Sequence, residues 1–207
     1  LAPGGKMELS AGKSFEINDN FKAGASATLF YKNTSDNDKV DYDKFFYDIN
    51  TKNIFHDNNT KADMTSINTE MGGMLNVGLN YYKNNEIKYT FFTTNQTTES
   101  TTSSSIDYTG AAEDREKTYY EYVEKTLTTH QLTGKNDLRF SNDVEGYFDN
   151  LVIDWAMETA SATRDEPGTV EYNYKHQMSG LNWDRKNWYY YFMLDDKVNN
   201  YRADFSL

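Results

Sequence analysis

An all-β chain forming part of an antiparallel transmembrane β-barrel is the class this sequence predicts, and three observations predict it. Short stretches alternate apolar and polar residues with a period of two. Large aromatics, above all Tyr, gather near the ends of those stretches. Tight turn-forming joints alternate with long polar ones. The clearest stretch runs from Gly73 to Tyr82, where Leu75, Val77, Leu79 and Tyr81 share one face and Asn76, Gly78 and Asn80 the other. That period marks a strand with one apolar face. In a soluble protein such a face packs on a second layer, whereas in an outer-membrane barrel it meets lipid and the polar face meets the lumen. A hydrophilic, Tyr-rich, cysteine-free chain favours the barrel.

The elements follow in order. A first hairpin is expected over Lys6–Ile17 and Lys22–Lys32. Met7, Leu9, Ala11 and Phe15 alternate with Glu8, Ser10, Gly12 and Ser14 in its first arm. In the second arm Ala23, Ala25, Ala27, Leu29 and Tyr31 alternate with Gly24, Ser26, Thr28 and Lys32, and Phe30 interrupts the polar set. Asn18-Asp19-Asn20 is turn chemistry, since Asn and Asp tolerate left-handed backbone and bond their own main chain. A long polar joint, Asn33 to Ser66, is expected next, with Lys44–Tyr47 and Asn53–Phe55 as a small hairpin inside it. Strand three then reaches Tyr82, Lys83-Asn84-Asn85 turns, and strand four runs from Glu86 to about Thr98 with Ile87, Tyr89, Phe91 and Thr93 on one face. The Ser100–Ser105 tract, extended through Glu113-Asp114-Arg115, reads as a second outer loop. Strand five, Lys117 to Thr133, alternates too weakly to assign its faces, and Gly134–Asp149 reads as a connection. In strand six Leu151, Ile153, Trp155 and Met157 oppose Val152, Asp154, Ala156 and Glu158; the two carboxylates place the second set towards the lumen. A third long loop, Arg164–Lys197, precedes a last strand near Asn200, and about seven or eight strands of a larger barrel result.

Composition bounds the function. The 207 residues carry 21 Lys and Arg against 32 Asp and Glu, a net charge of -11. That balance excludes a phosphate-neutralising face for nucleic acid and a polybasic grip on anionic lipid. Mean hydropathy is -0.86, and no run of about 18 apolar residues offers a transmembrane helix. With 17 Tyr and 12 Phe but 2 Pro, the chain is rich in rings that suit interfacial girdles. Absent cysteine removes disulfides and thiolate metal sites. The chain starts without a signal-like segment and stops in mid-wall, so it is expected to be a piece of a longer protein whose export signal lies upstream.

Several stretches resemble the barrel of TonB-dependent outer-membrane receptors, beginning just after the plug. Leu1-Ala2-Pro3-Gly4-Gly5 with the Met7–Phe15 strand and the Lys22–Lys32 return is similar to that family's first barrel hairpin. Thr126-Leu127-Thr128-Thr129-His130-Gln131-Leu132-Thr133-Gly134 resembles the family's Asn-Gln-Leu segment, with His130 where Asn is usual. Trp155 with Ala162-Thr163-Arg164-Asp165-Glu166-Pro167 resembles the strand and rim that follow. The resemblance spans essentially residues 1–207 and is diffuse. It implies a 22-stranded plugged barrel in the outer membrane of a Gram-negative bacterium, taking up a ferric siderophore, cobalamin or other chelate with energy delivered through TonB. The partners implied are the lipid bilayer, the receptor's own plug, TonB and a small chelate; no nucleic acid, cofactor or catalytic activity is implied. Capture would fall to the loops after strands two, four and six. A passive porin or small barrel, and a secreted glycan-binding β-sandwich or solenoid, are the alternatives.

Candidate ligand contacts lie in the third loop. Trp183, Arg185, Lys186, Trp188 and Tyr189 combine rings with cations suited to an anionic chelate, or else form an interfacial girdle. Arg164 either faces the ligand or pairs with Asp165 or Glu166 as rim scaffolding. Asp36, Asp38, Asp41 and Asp43 crowd one segment but lack the turn Gly and closing Glu of a calcium loop. His56, His130 and His176 lack zinc-site spacing. No nucleophile elbow, phosphate loop or acid–base pair suggests catalysis.

Overall fold

A computed structural model describes residues 4–82, 84–109, 114–139, 150–177, 180–183 and 187–206, with the side chains of 150, 176, 177 and 180–183 outside that description. Its elements are all strands: β1 (Gly5–Asn18), β2 (Phe21–Asp48), β3 (Asn53–Tyr81), β4 (Asn85–Tyr108), β5 (Asp114–Arg139), β6 (Asn150–Gln177), β7 (Gly180–Trp183) and β8 (Trp188–Ser206). From β1 to β6 each strand pairs antiparallel with its successor. Both β7 and β8 pair with β6, β7 against Tyr174–Gln177 and β8 against Val152–Glu171. One antiparallel sheet results, and it is not closed: β1 and β8 lie at its two sides.

Cross-strand partners share a face, so register assigns each side chain to a side. Phe15, Ala23, Leu79, Ile87, Gly134, Trp155 and Ala203 form one row. The adjacent row on the other face is Ser14, Gly24, Gly78, Lys88, Thr133, Ala156 and Arg202. The apolar sets read separately from five stretches therefore join into one surface, and Asp154 and Glu158 lie opposite it. Strand five, unassignable from its sequence, places Leu132 and His130 on the apolar side.

The upper border of the apolar surface is oblique. It ends at Tyr31 in β2, Met71 in β3, Phe91 in β4, Leu132 in β5, Met157 in β6 and Tyr201 in β8. The row through Tyr31 instead arrives at Asp195, six residues from Tyr201. Six residues are roughly 20 Å of strand over five interstrand steps of about 4.8 Å, a slope of about 40°. No described residue covers this surface: Leu29, Leu75 and Val77 are 62%, 40% and 45% exposed, and Val123 is the buried hydrophobic side chain among the described residues.

The polar tracts read as long loops are mostly strand. Asn33–Ser66 continues the β2–β3 ladder to Asp48 and Asn53; the expected small hairpin is its tip, where Phe46 stacks on Phe55. Ser100–Ser105 pairs with β5 throughout. β5 extends beyond Gly134 to Arg139, and much of Arg164–Lys197 belongs to β6 and β8. Thr and Tyr favour the pleated backbone whatever their polarity, so a hydrophilic run need not be a loop. The connection placed over Gly134–Asp149 begins only at Arg139, and 140–149 lies outside the described residues.

The turns are held by their own side chains. Asn18 Oδ1 accepts from the Asn20 amide at 2.9 Å, as expected of that joint. At the opposite end Asp48 accepts from the Asn50 amide at 2.8 Å and the Thr51 hydroxyl at 2.9 Å. The Asn50 backbone bond, followed by Thr51, holds the Asp48 carboxyl below its usual range.

Candidate functional site

The candidate contacts divide by face and by position. Arg185 and Lys186 fall outside the described residues, and Trp183 is placed only by its backbone, opposite Tyr174. Arg164, Trp188 and Tyr189 are described, but not as one group. Strand alternation turns Tyr189 away from Trp188. Its hydroxyl donates to the Pro167 carbonyl at 2.7 Å, packing it on the chain at Pro167-Gly168. Tyr189 thus braces β6 from the face opposite Trp188.

Pro167 and Gly168 mark a bulge. The β6–β8 register jumps between Glu166 and Thr169, and the β5–β6 register jumps between Tyr120 and Glu124. Proline has no amide to give the ladder, so it sits where pairing is interrupted. The slip changes which residues of β6 share a side. Arg164 pairs Leu194, Glu166 pairs Phe192, Thr169 pairs Tyr190 and Glu171 pairs Trp188. All four β8 partners are alternate residues of an unbroken strand, so both parities of β6 converge on one face. That face is the polar one, shared with Arg202 and Asp204.

Here β5, β6 and β8 form a shallow depression of about 590 Å³. Tyr119, Arg164, Glu166, Thr169, Glu171, Tyr190, Tyr191 and Phe192 line it. Arg164 forms an ion pair with Glu166, its Nε donating at 2.6 Å, and its guanidinium lies 5.9 Å from the Phe192 ring centre. The scaffold alternative read from the sequence is therefore present, with Glu166 and not Asp165 as partner. Lys117 contacts Glu171 at 3.0 Å. Burial alone would raise the Glu171 carboxyl, but hydrogen bonds from Asn173 and Lys117 and the Lys117 charge hold it below its usual range. Burial, then the Glu121 and Glu166 charges, holds the Tyr119 phenol above its usual range, so it remains a donor. Thr169 is 3% exposed; its hydroxyl leans towards Tyr119 but has no well-formed hydrogen bond.

Tyr119, Thr169 and Glu171 were not singled out from the sequence; Tyr190 and Phe192 stood out only as members of the aromatic run Tyr189–Phe192 in the third loop. Trp188, Tyr190 and Phe192 stand at alternate positions, a signal available to a period-two reading of the Tyr189–Phe192 run. The convergence of Glu166 with Glu171 had one local signal, the Pro167-Gly168 pair between them, which marks a bulge.

The other candidates stay apart. Asp36 and Asp38 lie on the polar face, Asp41 and Asp43 on the opposite one, as their partners Ser66, Met64, Lys61 and Asn59 show. Asn59 donates to Asp41 and Asp43 at 2.9 and 3.0 Å. His56 meets Asp43 at 2.9 Å, and His130 Nδ1 meets the Tyr89 hydroxyl at 2.8 Å. Among the described residues no group of three His, Asp or Glu side chains is arranged to hold a metal ion. No family model matches the chain, and no curated protein matches it.

Proposed function

We propose that this chain is a section of the wall of a TonB-dependent uptake receptor in the outer membrane of a Gram-negative bacterium. One observation carries the reading: a continuous apolar surface, uncovered by any second layer, whose border climbs obliquely across the register. A soluble monomer rarely exposes a contiguous apolar patch beyond a few hundred Å². Between Phe21 and Tyr31 the surface covers ten residue steps, roughly 33 Å of strand, or about 25 Å of height at a tilt near 40°. That is the height and inclination of a lipid-facing barrel band. An open sheet leaves backbone groups unpaired at its edges, which lipid does not tolerate, so further strands complete the wall.

In this reading the short Asn18–Phe21 and Tyr81–Asn85 turns face the periplasm, and the long upper ladders stand outside the cell. β8 reaches Trp188, thirteen residues beyond Tyr201, or roughly 40 Å of strand. The depression at Arg164 thus sits on the inner wall well above the membrane, where a solute is captured before passage past the plug. Energy from TonB is carried over from the resemblance at Thr126–Gly134 and the Trp155–Pro167 stretch.

The absence of cysteine from these 207 residues leaves single introduced thiols here as clean probes, once any cysteine elsewhere in the full-length protein is replaced by serine. In full-length protein reconstituted into lipid nanodiscs, a bimane on Val77→Cys should be quenched by nitroxide-labelled lipid, and in a separate unlabelled sample the Val77→Cys thiol should be shielded from a charged maleimide. A bimane on Asn80→Cys should show the reverse. Equal maleimide reactivity at both sites, without lipid quenching of Val77→Cys, would exclude the membrane wall.

A further inference from the structure

We propose that the depression between β5, β6 and β8 is a subsite for a neutral oligosaccharide, an inference that rests on the uptake reading and narrows its ligand. Trp188, Tyr190 and Phe192 are 50%, 48% and 46% exposed and share one face of β8; Tyr190 and Phe192 line the depression, and Trp188 extends this ladder from beside Tyr190. The Trp188 and Tyr190 centres are 6.3 Å apart with planes inclined by 18°. Aromatic faces of this kind pack on apolar surface while leaving polar rims to hydrogen-bond. A pyranose ring offers both: a C–H face and a rim of hydroxyls that each donate and accept.

The wall beside the ladder supplies both halves of that exchange. Arg164 and the protonated Tyr119 phenol donate; the Glu166 and Glu171 carboxylates accept. Thr169 is nearly fully buried beneath the depression, beside Tyr119.

Charge decides against an anionic chelate. Arg164 is held by Glu166, and Lys117 by Glu171. Two carboxylates therefore face the depression, and among the described residues its one lining cation is already paired. Glu121 and Lys125 flank it with opposite signs on the same face. An anion would displace a resident carboxylate and stay close to it, whereas an uncharged polyol enters without breaking either pair.

The test uses full-length protein in detergent micelles, intrinsic tryptophan fluorescence, and four probes: maltohexaose, cellohexaose, xylohexaose and mannohexaose. A ferric tris-catecholate is the anionic comparison. At least one hexaose should bind, with affinity changed less than about twofold between about 50 and about 500 mM salt, because no net charge is screened. Trp188→Ala should weaken binding by roughly tenfold or more, on the scale of a lost aromatic anchor, and Trp188→Phe should restore most of it. The Glu166→Gln, Glu171→Gln double variant should gain affinity for the ferric complex. No binding of any hexaose, hexaose binding indifferent to Trp188→Ala, or ferric-complex binding to the unmodified site would overturn the proposal. Chelate binding with Val77→Cys still shielded by lipid removes the ligand class alone. Exposure of Val77→Cys to water removes the membrane wall and leaves any oligosaccharide binding standing.

Discussion

Leu75→Arg should lower the stability of the full-length protein in lipid by about 2–4 kcal/mol, the range for a cation near the bilayer midplane on a barrel's outer face. Leu75 stands between Ala27 and Phe91 in the apolar surface, midway between its borders at Met71 and Tyr81. Asn80→Arg puts the same cation on the other face of the same strand, opposite Glu86. It should change stability by no more than about 0.5 kcal/mol, as surface substitutions usually do. Urea unfolding from nanodiscs, followed by tryptophan emission, compares the two. Equal midpoints for both variants would mean that the Leu75 face does not meet hydrocarbon.

A second large effect is expected at Gly134. The Trp155 indole lies flat over this glycine, so an added Cβ would meet indole Nε1 at 2.6 Å and lie closer still to the six-membered ring. That indole donates to Asn136 Oδ1 at 3.0 Å, and the Asn136 amide reaches Tyr81. The Asp137 amide bonds Asn85 at 3.0 Å, so the group ties β3, β4, β5 and β6 together at the short-turn end. Gly134→Val must lift the indole, which combines an overpacking cost of about 1–3 kcal/mol with a lost hydrogen bond of about 0.5–1.5 kcal/mol. Gly78→Ala is the control, because its added methyl meets only the Ile87 carbonyl oxygen at 3.9 Å. A lower urea midpoint with a shifted tryptophan emission is expected for Gly134→Val alone. An unchanged midpoint would show that the indole is not seated there.

How far the fold was legible depended on the range of the signal. Gly73–Tyr82 displayed both faces of β3 within ten residues, and Asn18-Asp19-Asn20 displayed its turn within three. The ends of the strands were harder to read. The tracts at Asn33–Ser66 and Ser100–Ser105 lack apolar alternation, and only their ladders to neighbouring strands make them sheet. Phe30, which breaks the polar alternation of β2, is accommodated by the missing side chain of Gly72 and stacks near Phe92, their centres 6.5 Å apart. Neither partner is close in sequence.

The candidate site divided in the same way. Arg164 and the aromatic run were visible as chemistry, but their grouping was not. Trp188 and Tyr189 are adjacent in sequence and opposite in the sheet, while Glu166 and Glu171 differ in parity and share a face.

By itself the sequence determined that the chain is β-structured, that its strands carry unlike faces, and where its tightest turns fall. These properties depend on backbone preferences and on neighbours one or two residues away. Tertiary structure alone decided that the apolar faces join along an oblique border and that Arg164, Glu166, Thr169 and Glu171 meet the β8 rings. Both outcomes depend on register between distant strands, and a single slip at Pro167-Gly168 exchanges the two faces of everything beyond it.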